Sequence, residues 1–176
     1  MDPVYLRALE LSDLDRTYKW HNDADLYETL GSPYRFVSHA SEEEWLRKKQ
    51  AYSPQEVSLA VCLTENSQHI GNIYLRNIDW VARNAELAIF FGETDQRLKG
   101  YGTIAARLLI KHAFQDLGLV RLYAFVIEDN GPTIRVSEKA GWTIEGKLRK
   151  HAFKDGKFKD VVVLGFCAGD LPSEGD

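Results

Sequence analysis

The chain has 176 residues, enough for one domain with a sizeable core. Its 44% hydrophobic and 27% charged residues fit an ordinary globular protein, and a net charge of −4 gives no reason to expect a nucleic-acid partner and mildly favours cationic small molecules. No apolar run approaches the ~18 residues of a membrane span, the N-terminus lacks a secretory pattern, and the scattered Cys62 and Cys167 read as core residues in a reducing, cytoplasmic setting.

In chain order, Val4 to Leu9 reads as a short strand. Ser12-Asp13-Leu14-Asp15 looks like a capping box that opens a helix running toward Trp20. Gly31-Ser32-Pro33-Tyr34 is a loop, and Ser41-Glu42-Glu43-Glu44 is a second capping box, with Trp45 and Leu46 beginning a buried helical face. Strands are expected over Val57–Leu63, Ile70–Leu75 and roughly Glu86–Phe91. A helix should run from Gly100 to Leu117 with Gly118 as its cap. Val120–Ile127 is nearly all apolar, as in a strand covered on both faces. A short helix from about Pro132 to Lys139 should stop at Gly141. Two strands, about 143–153 and 157–167, are joined by Asp155-Gly156, a strong hairpin signal. One domain over 1–168 and a frayed tail over 169–176 are expected.

The chemistry concentrates at Arg97-Leu98-Lys99-Gly100-Tyr101-Gly102-Thr103, at the mouth of an apolar-periodic helix. Small residues let backbone approach a ligand, and free N–H groups at a helix N-terminus attract anions. Arg97 and Lys99 add charge where a pyrophosphate would lie. A Walker-type loop is absent. Gly100 to Ala105 fits the dinucleotide pattern Gly-x-Gly-x-x-Ala, and Glu128 follows the next strand at a suitable distance. Against that reading, Gly92 to Gln96 separates the strand end from the glycines, and there is only one such strand–helix–strand unit. The glycines could also merely tighten the turn.

Arg97-x-x-Gly100-x-Gly102 resembles the acyl-CoA signature of the GNAT superfamily of N-acetyltransferases. Asn130, Lys139-Ala140-Gly141-Trp142 with Glu145-Gly146, and Asp155-Gly156-Lys157-Phe158-Lys159-Asp160 resemble its later segments. Trp20-His21-Asn22-Asp23 resembles the "Trp-x-Asn-Asp" of the RimJ/RimL-like branch. The four segments stand in family order over residues 18–165. The resemblance implies an α/β (α+β) domain with a mixed, mostly antiparallel sheet and about four helices. It also implies transfer of an acetyl group from acetyl-CoA to an amine by direct attack in a ternary complex.

On that resemblance, the backbone of Leu98, Lys99, Gly100, Tyr101, Gly102 and Thr103 holds the cofactor, with Arg97 and Asn130 assisting. Pantetheine lies along Ile89, Phe90 and Phe91, where a backbone N–H polarises the thioester carbonyl. Glu86, the only charge within an apolar strand, is the candidate base; its spacing from Arg97 resembles that of histone-type members. The alternative is a core ion pair or hydrogen bond. Many relatives carry Tyr as general acid where this chain has Ser137, which leaves a Ser137-held water, Ser137 itself or Thr133 for that role. Thr133 also reads as a capping residue. His21, Asp23 and Tyr34 lie where the family walls its acceptor site.

No His/Cys cluster has metal-ligand spacing, so no metal is expected. His112 reads as structural, and Lys147 to His151 as a solvated strand face. The acceptor is a small-molecule or protein N-terminal amine, with no nucleic acid and no membrane involved, and a homodimer is left open. A catalytically silent acyl-CoA-binding or regulatory domain is the rival reading.

Overall fold

The computed structural model describes residues 2–28 and 30–170. Seven strands form one sheet in the order β1-β2-β3-β4-β5-β7-β6. They are β1 (Val4–Ala8), β2 (Val57–Leu63), β3 (His69–Asp79), β4 (Asn84–Phe91), β5 (Arg121–Ile127), β6 (Thr143–Lys154) and β7 (Lys157–Cys167). The four α-helices are α1 (Leu14–His21), α2 (His39–Gln50), α3 (Tyr101–Lys111) and α4 (Gly131–Lys139). Every strand pair is antiparallel except β4–β5, which α3 connects as a crossover. This is the expected mixed, mostly antiparallel sheet.

One face of the sheet packs on α3. Ala105, Leu109 and Ile110 of α3 and Ala113 beyond it meet Ile73, Leu75, Leu87, Leu122, Leu164 and Phe166 in a continuous apolar core. The opposite face is covered at one end by α2, where Leu46 joins Leu9, Ala60 and Cys62. There the buried residues include Asp13, Glu42, His69 and Asn72. Side chains alternate along a strand, so Leu87, Ile89 and Phe91 serve the α3 face, while Glu86, Ala88 and Phe90 serve the other.

Several sequence expectations shift. The first capping box lies two residues earlier than expected: Asp13 accepts from Glu10 N–H at 2.8 Å, because Asp13 is also held by Arg7 and His69 and is turned inward. The second helix begins at His39, capped by Ser38 Oγ accepting from Ser41 N–H at 3.1 Å, so Ser41 lies within the first turn. α3 ends in a π-helical turn, His112–Asp116, and Gly118 follows at φ +67°. β5 is not covered on both faces, since Phe125 keeps 43% of its surface where β4 has parted from it. Cys167 is exposed at the end of β7 and Cys62 is buried; neither is bridged. His112 is half-buried, paired with Asp116 at 2.7 Å. Asp155 and Gly156 both adopt positive φ, the I′ hairpin geometry that the sequence signalled. The tail from Leu171 onward lies outside the described residues.

Candidate active site

β4 and β5 pair over only three positions, Asn84 with Arg121, Ala85 with Leu122 and Glu86 with Tyr123. Beyond Glu86 the two strands part. Gly92 N–H donates to Ile70 O at 3.0 Å, and the direction of the peptide groups alternates along the strand. In the register of β3 with β4, the amides of Leu87, Ile89 and Phe91 therefore point away from β3; Leu87 closes the parallel ladder at the Glu86–Tyr123 pair, those of Ile89 and Phe91 face the gap, and that of Phe90 faces β3. The result is an opened sheet edge inside the molecule, with the N–H groups of Ile89 and Phe91 turned to the open side.

The loop after β4 leads to the N-terminus of α3. Leu98 is fully exposed with φ +61°, and Gly100 takes φ +81° as the residue before the helix, a conformation that suits glycine. Ile104 N–H makes the first intrahelical bond, to Gly100 O at 3.3 Å, so the N–H groups of Tyr101, Gly102 and Thr103 precede the ladder. A Cβ on Gly102 would stand 3.3 Å from the Phe91 ring, which ties the helix mouth to the strand end. Arg97 donates through Nε and Nη2 to Phe91 O, at 3.3 and 2.9 Å, and so braces the loop while its charge stays beside the helix terminus. Lys99 Nζ donates to Gln96 Oε1 at 3.0 Å. These groups fit a pyrophosphate next to an extended amide-bearing arm: three orphan N–H groups, two cations and a free strand edge converge at one end of β4. Among the described residues, no group of three or more His, Cys, Asp or Glu gathers as a metal site. None of the described helices is long and apolar enough to cross a membrane.

On the side away from α3, α1 locks onto the end of β4. Trp20 is fully buried and donates from Nε1 to Glu93 Oε1 at 3.1 Å. A Cβ on Gly92 would fall 2.0 Å from the Trp20 indole, so only glycine fits there. His21 stacks on Phe90, with centroids 6.1 Å apart, and stands edge-on to Trp45 at 4.7 Å. His21 Nδ1 lies 2.7 Å from Glu42 Oε2. Tyr34 donates to Asn22 O at 3.2 Å and meets the Tyr27 ring edge-on. Asp23 caps the turn Ala24–Tyr27 by accepting from Asp25 N–H. The sequence-named His21 and Tyr34 thus lie in this wall, while Asp23 is committed to local capping.

Beneath them runs a buried polar network. Arg7 grips Asp13 through both Nη atoms, at 2.8 and 2.7 Å. His69 lies between Asp13 Oδ1 on one side and Gly71 O and Asn72 Oδ1 on the other. Burial works against ionisation of Asp13, but the bonds from Arg7, His69 and Glu10 N–H overcome it and hold the carboxyl well below the usual range. Burial raises Tyr74 and Tyr27, and Glu42 adds to the effect on Tyr27. Tyr123 is raised by burial and by Glu86 opposite it. These phenols therefore stay protonated, as hydroxyl donors. Burial lowers Lys154, whose Nζ donates to Tyr27 O.

Glu86 is half-buried at the closed end of the gap and accepts from Asn77 Nδ2 at 3.2 Å. Ser137 is half-buried on α4, and Asn130 caps that helix by accepting from Thr133 N–H at 3.4 Å. Sequence reasoning passed over Glu42, Asn72, Tyr27 and Tyr123. For Glu42 a signal existed: of three consecutive glutamates it alone stands four residues before the buried Leu46, on the same helix face.

The family profile described as an acetyltransferase (GNAT) domain matches residues 4–143. A spermidine N(1)-acetyltransferase of Escherichia coli (strain K12) is 29% identical over 161 residues, covering 90% of this chain and 83% of the relative. An L-amino acid N-acetyltransferase of the same organism is 27% identical, covering 93% of this chain and 98% of that one. The crystal structure of spermidine N-acetyltransferase from Vibrio cholerae in complex with CoA and spermine superposes with a TM-score of 0.88 at 23% identity, covering 96% of this chain and 97% of the other. At that identity the likeness speaks to fold. With a family match running from β1 to the start of β6, the chain belongs to the GNAT family and is an acetyl-CoA-dependent N-acetyltransferase.

Proposed function

We propose that this enzyme moves an acetyl group from acetyl-CoA to a small aliphatic primary amine, with spermidine-like polyamines the first acceptors to try. The observation that carries the reading is the parting of β4 from β5 after Glu86, right beside the free N-terminus of α3. The N–H groups of Tyr101, Gly102 and Thr103 would hold the pyrophosphate. The gap-facing amides of Ile89 and Phe91 would pair with the pantetheine arm, and one of them would polarise the thioester carbonyl. The face carrying Phe90, Tyr27, Tyr34 and Tyr123 would receive the acceptor. Aromatic rings with Glu86 at one end and Asp25 and Glu28 exposed near the other suit a cationic, extended amine. The names of two relatives, acting on spermidine and on L-amino acids, support a small amine over a protein N-terminus. Two groups on this face can accept the amine's proton, Glu86 and His21. Ser137 or a water it holds would supply the proton to the departing thiolate.

The test is a panel of spermidine, simple diamines, amino acids, an aminoglycoside and an N-terminal peptide, read by release of free CoA thiol. Acetyl-CoA should bind with a micromolar Kd, about −8 kcal/mol, and CoA release should rise most with the aliphatic amines. Arg97→Glu should weaken acetyl-CoA binding about tenfold or more, equivalent to about 1.4 kcal/mol. Tight acetyl-CoA binding with no amine-stimulated release would leave only a silent binding domain.

A further inference from the structure

The acceptor face carries a pair of side chains to which the scheme above gives no fixed task. Glu42 is 1% exposed and meets His21 Nδ1 through Oε2 at 2.7 Å. Its Oε1 has no hydrogen-bond donor among the described residues. His21 keeps 16% of its side-chain surface exposed, and its Nε2 has no hydrogen-bond partner among the described residues. As a purely structural device this is costly. A buried carboxylate oxygen left unmet loses its hydration with nothing in return, and an apolar residue at 42 would pack against Trp45 and His21 without that cost.

We propose that His21, held by Glu42, takes the proton from the acceptor amine. The inference rests on the acetyl-transfer reading above. The Nδ1–H donated to Glu42 fixes the tautomer and leaves the lone pair on Nε2, the arrangement in which a buried carboxylate orients a histidine base. Stacking on Phe90 places the ring beside the stretch of β4 whose amides face the gap. The balance is simple. An ammonium acceptor gives one N–H proton to Nε2. The freed lone pair forms the N–C bond to the acetyl carbon, and the C–S bond breaks with its electron pair leaving on sulfur. The second N–H proton, shed as the amide forms, reaches the thiolate through Ser137 or water. His21 then returns its proton to solvent. The sum is ammonium plus acetyl-CoA giving amide, CoA thiol and one proton. While His21 carries the proton, Glu42 becomes half of an ion pair, so its buried charge is met at the moment it is needed.

The groups around His21 come from several elements. Glu42 and Trp45 face it from α2, and Phe90 from β4. Glu93 lies one residue along, bound to Trp20 and within 4 Å of Arg16 and Lys19. Tyr27, Tyr34 and Asp23 come from the α1–α2 connection. Glu42 is the only carboxylate bonded to the ring among the described residues. Glu86, by contrast, accepts only from an amide, Asn77 Nδ2, among the described residues.

The experiment compares His21→Gln, Glu42→Gln and Glu86→Gln with the native enzyme, using spermidine and acetyl-CoA across pH. His21→Gln should lower kcat about 100-fold or more at neutral pH, with the loss shrinking as pH rises and acetyl-CoA affinity held within about twofold. Added imidazole should partly restore His21→Ala. Glu42→Gln keeps an oxygen for Nδ1–H but loses the charge. It should lower kcat about tenfold and move the acid limb of the kcat/KM profile to lower pH. Nitrogen NMR of the His21 ring in the ligand-free protein provides a readout without turnover: its midpoint should also move lower in Glu42→Gln. The inference is overturned if His21→Gln turns over within about threefold of native with an unchanged profile. It is also overturned if Glu86→Gln alone removes the acid limb, or if the His21 ring signals stay put in Glu42→Gln. A native enzyme that binds acetyl-CoA yet acetylates nothing overturns the reaction itself, and the inference with it.

Discussion

The two faces of the sheet are built on opposite terms. Under α3, buried side chains are aliphatic or aromatic and need only volume complementarity. Under α1 and α2, the sheet buries Asp13, His69, Asn72, Tyr74 and Glu42, each of which requires a partner. The first face earns stability from contact alone. The second holds polar groups in fixed places at a cost in stability, and there α1 presents His21 beside the opened strand edge. The difference teaches where to expect mutations to unfold the protein and where to expect them to change turnover.

The sharpest way to test this division is Leu109→Ala on the α3 side. Leu109 is fully buried against the sheet, and the cavity should cost about 2–5 kcal/mol in denaturant unfolding. The KM for acetyl-CoA should hold wherever the protein stays folded. A loss of activity out of proportion to the loss of stability would break the contrast.

Asp13→Asn probes the polar side. It removes the carboxylate that Arg7 and His69 share and should cost about 2–3 kcal/mol, less than for a fully buried pair because Arg7 keeps some exposure. The pH sign follows from the depressed Asp13. Its folded form binds a proton less readily than the unfolded chain does. Its stabilisation is therefore complete above the ordinary carboxylate pKa of about 3.9 and is lost as pH falls below that toward the folded value. Urea midpoints measured from pH 6 to pH 2 should fall more steeply for the native protein than for Asp13→Asn over the acid part of that range.

Gly92→Ala tests the junction of the two regions. The added methyl meets the Trp20 indole and should cost about 1–3 kcal/mol of stability. Because the strain falls on α1, the KM for the amine should rise more than that for acetyl-CoA. The smallest effect is expected at Ser137→Ala, about tenfold in kcat or 1.4 kcal/mol of barrier, since a thiolate leaves with little acid assistance. No change would give the proton to water or Thr133.

Those contrasts were only partly legible in the sequence. Strands β2, β3, β4 and β7, the I′ turn at Asp155-Gly156 and the glycine-marked mouth of α3 announce themselves by local pattern, because alternation and turn chemistry act between chain neighbours. The helix starts at Leu14 and His39 were misplaced because Asp13 answers to distant partners, Arg7 and His69, and because Ser38 rather than Ser41 supplies the second cap. The apolar run of β5 suggested burial on both sides, but the parting of β4 leaves Phe125 open. The glycine-bearing turn that opens α3 was readable because its components are consecutive. The His21–Glu42 pair was not, because it is assembled across 21 residues by the packing of α1 on α2.

The three-residue seam between β4 and β5 also divides the sheet into two halves. On one side of it, β2, β3 and β4 form a meander of successive antiparallel neighbours; on the other, β5, β7 and β6 form their own antiparallel set. Few backbone bonds hold one half-sheet to the other, and the apolar core under α3 carries the rest of the joint. An extended arm whose amides pair with Ile89 and Phe91 would act as a zipper tooth between the halves. Amide hydrogens near the seam would then exchange more slowly once the arm is seated, because the donor itself would supply the strand contacts that β5 gives up after Glu86.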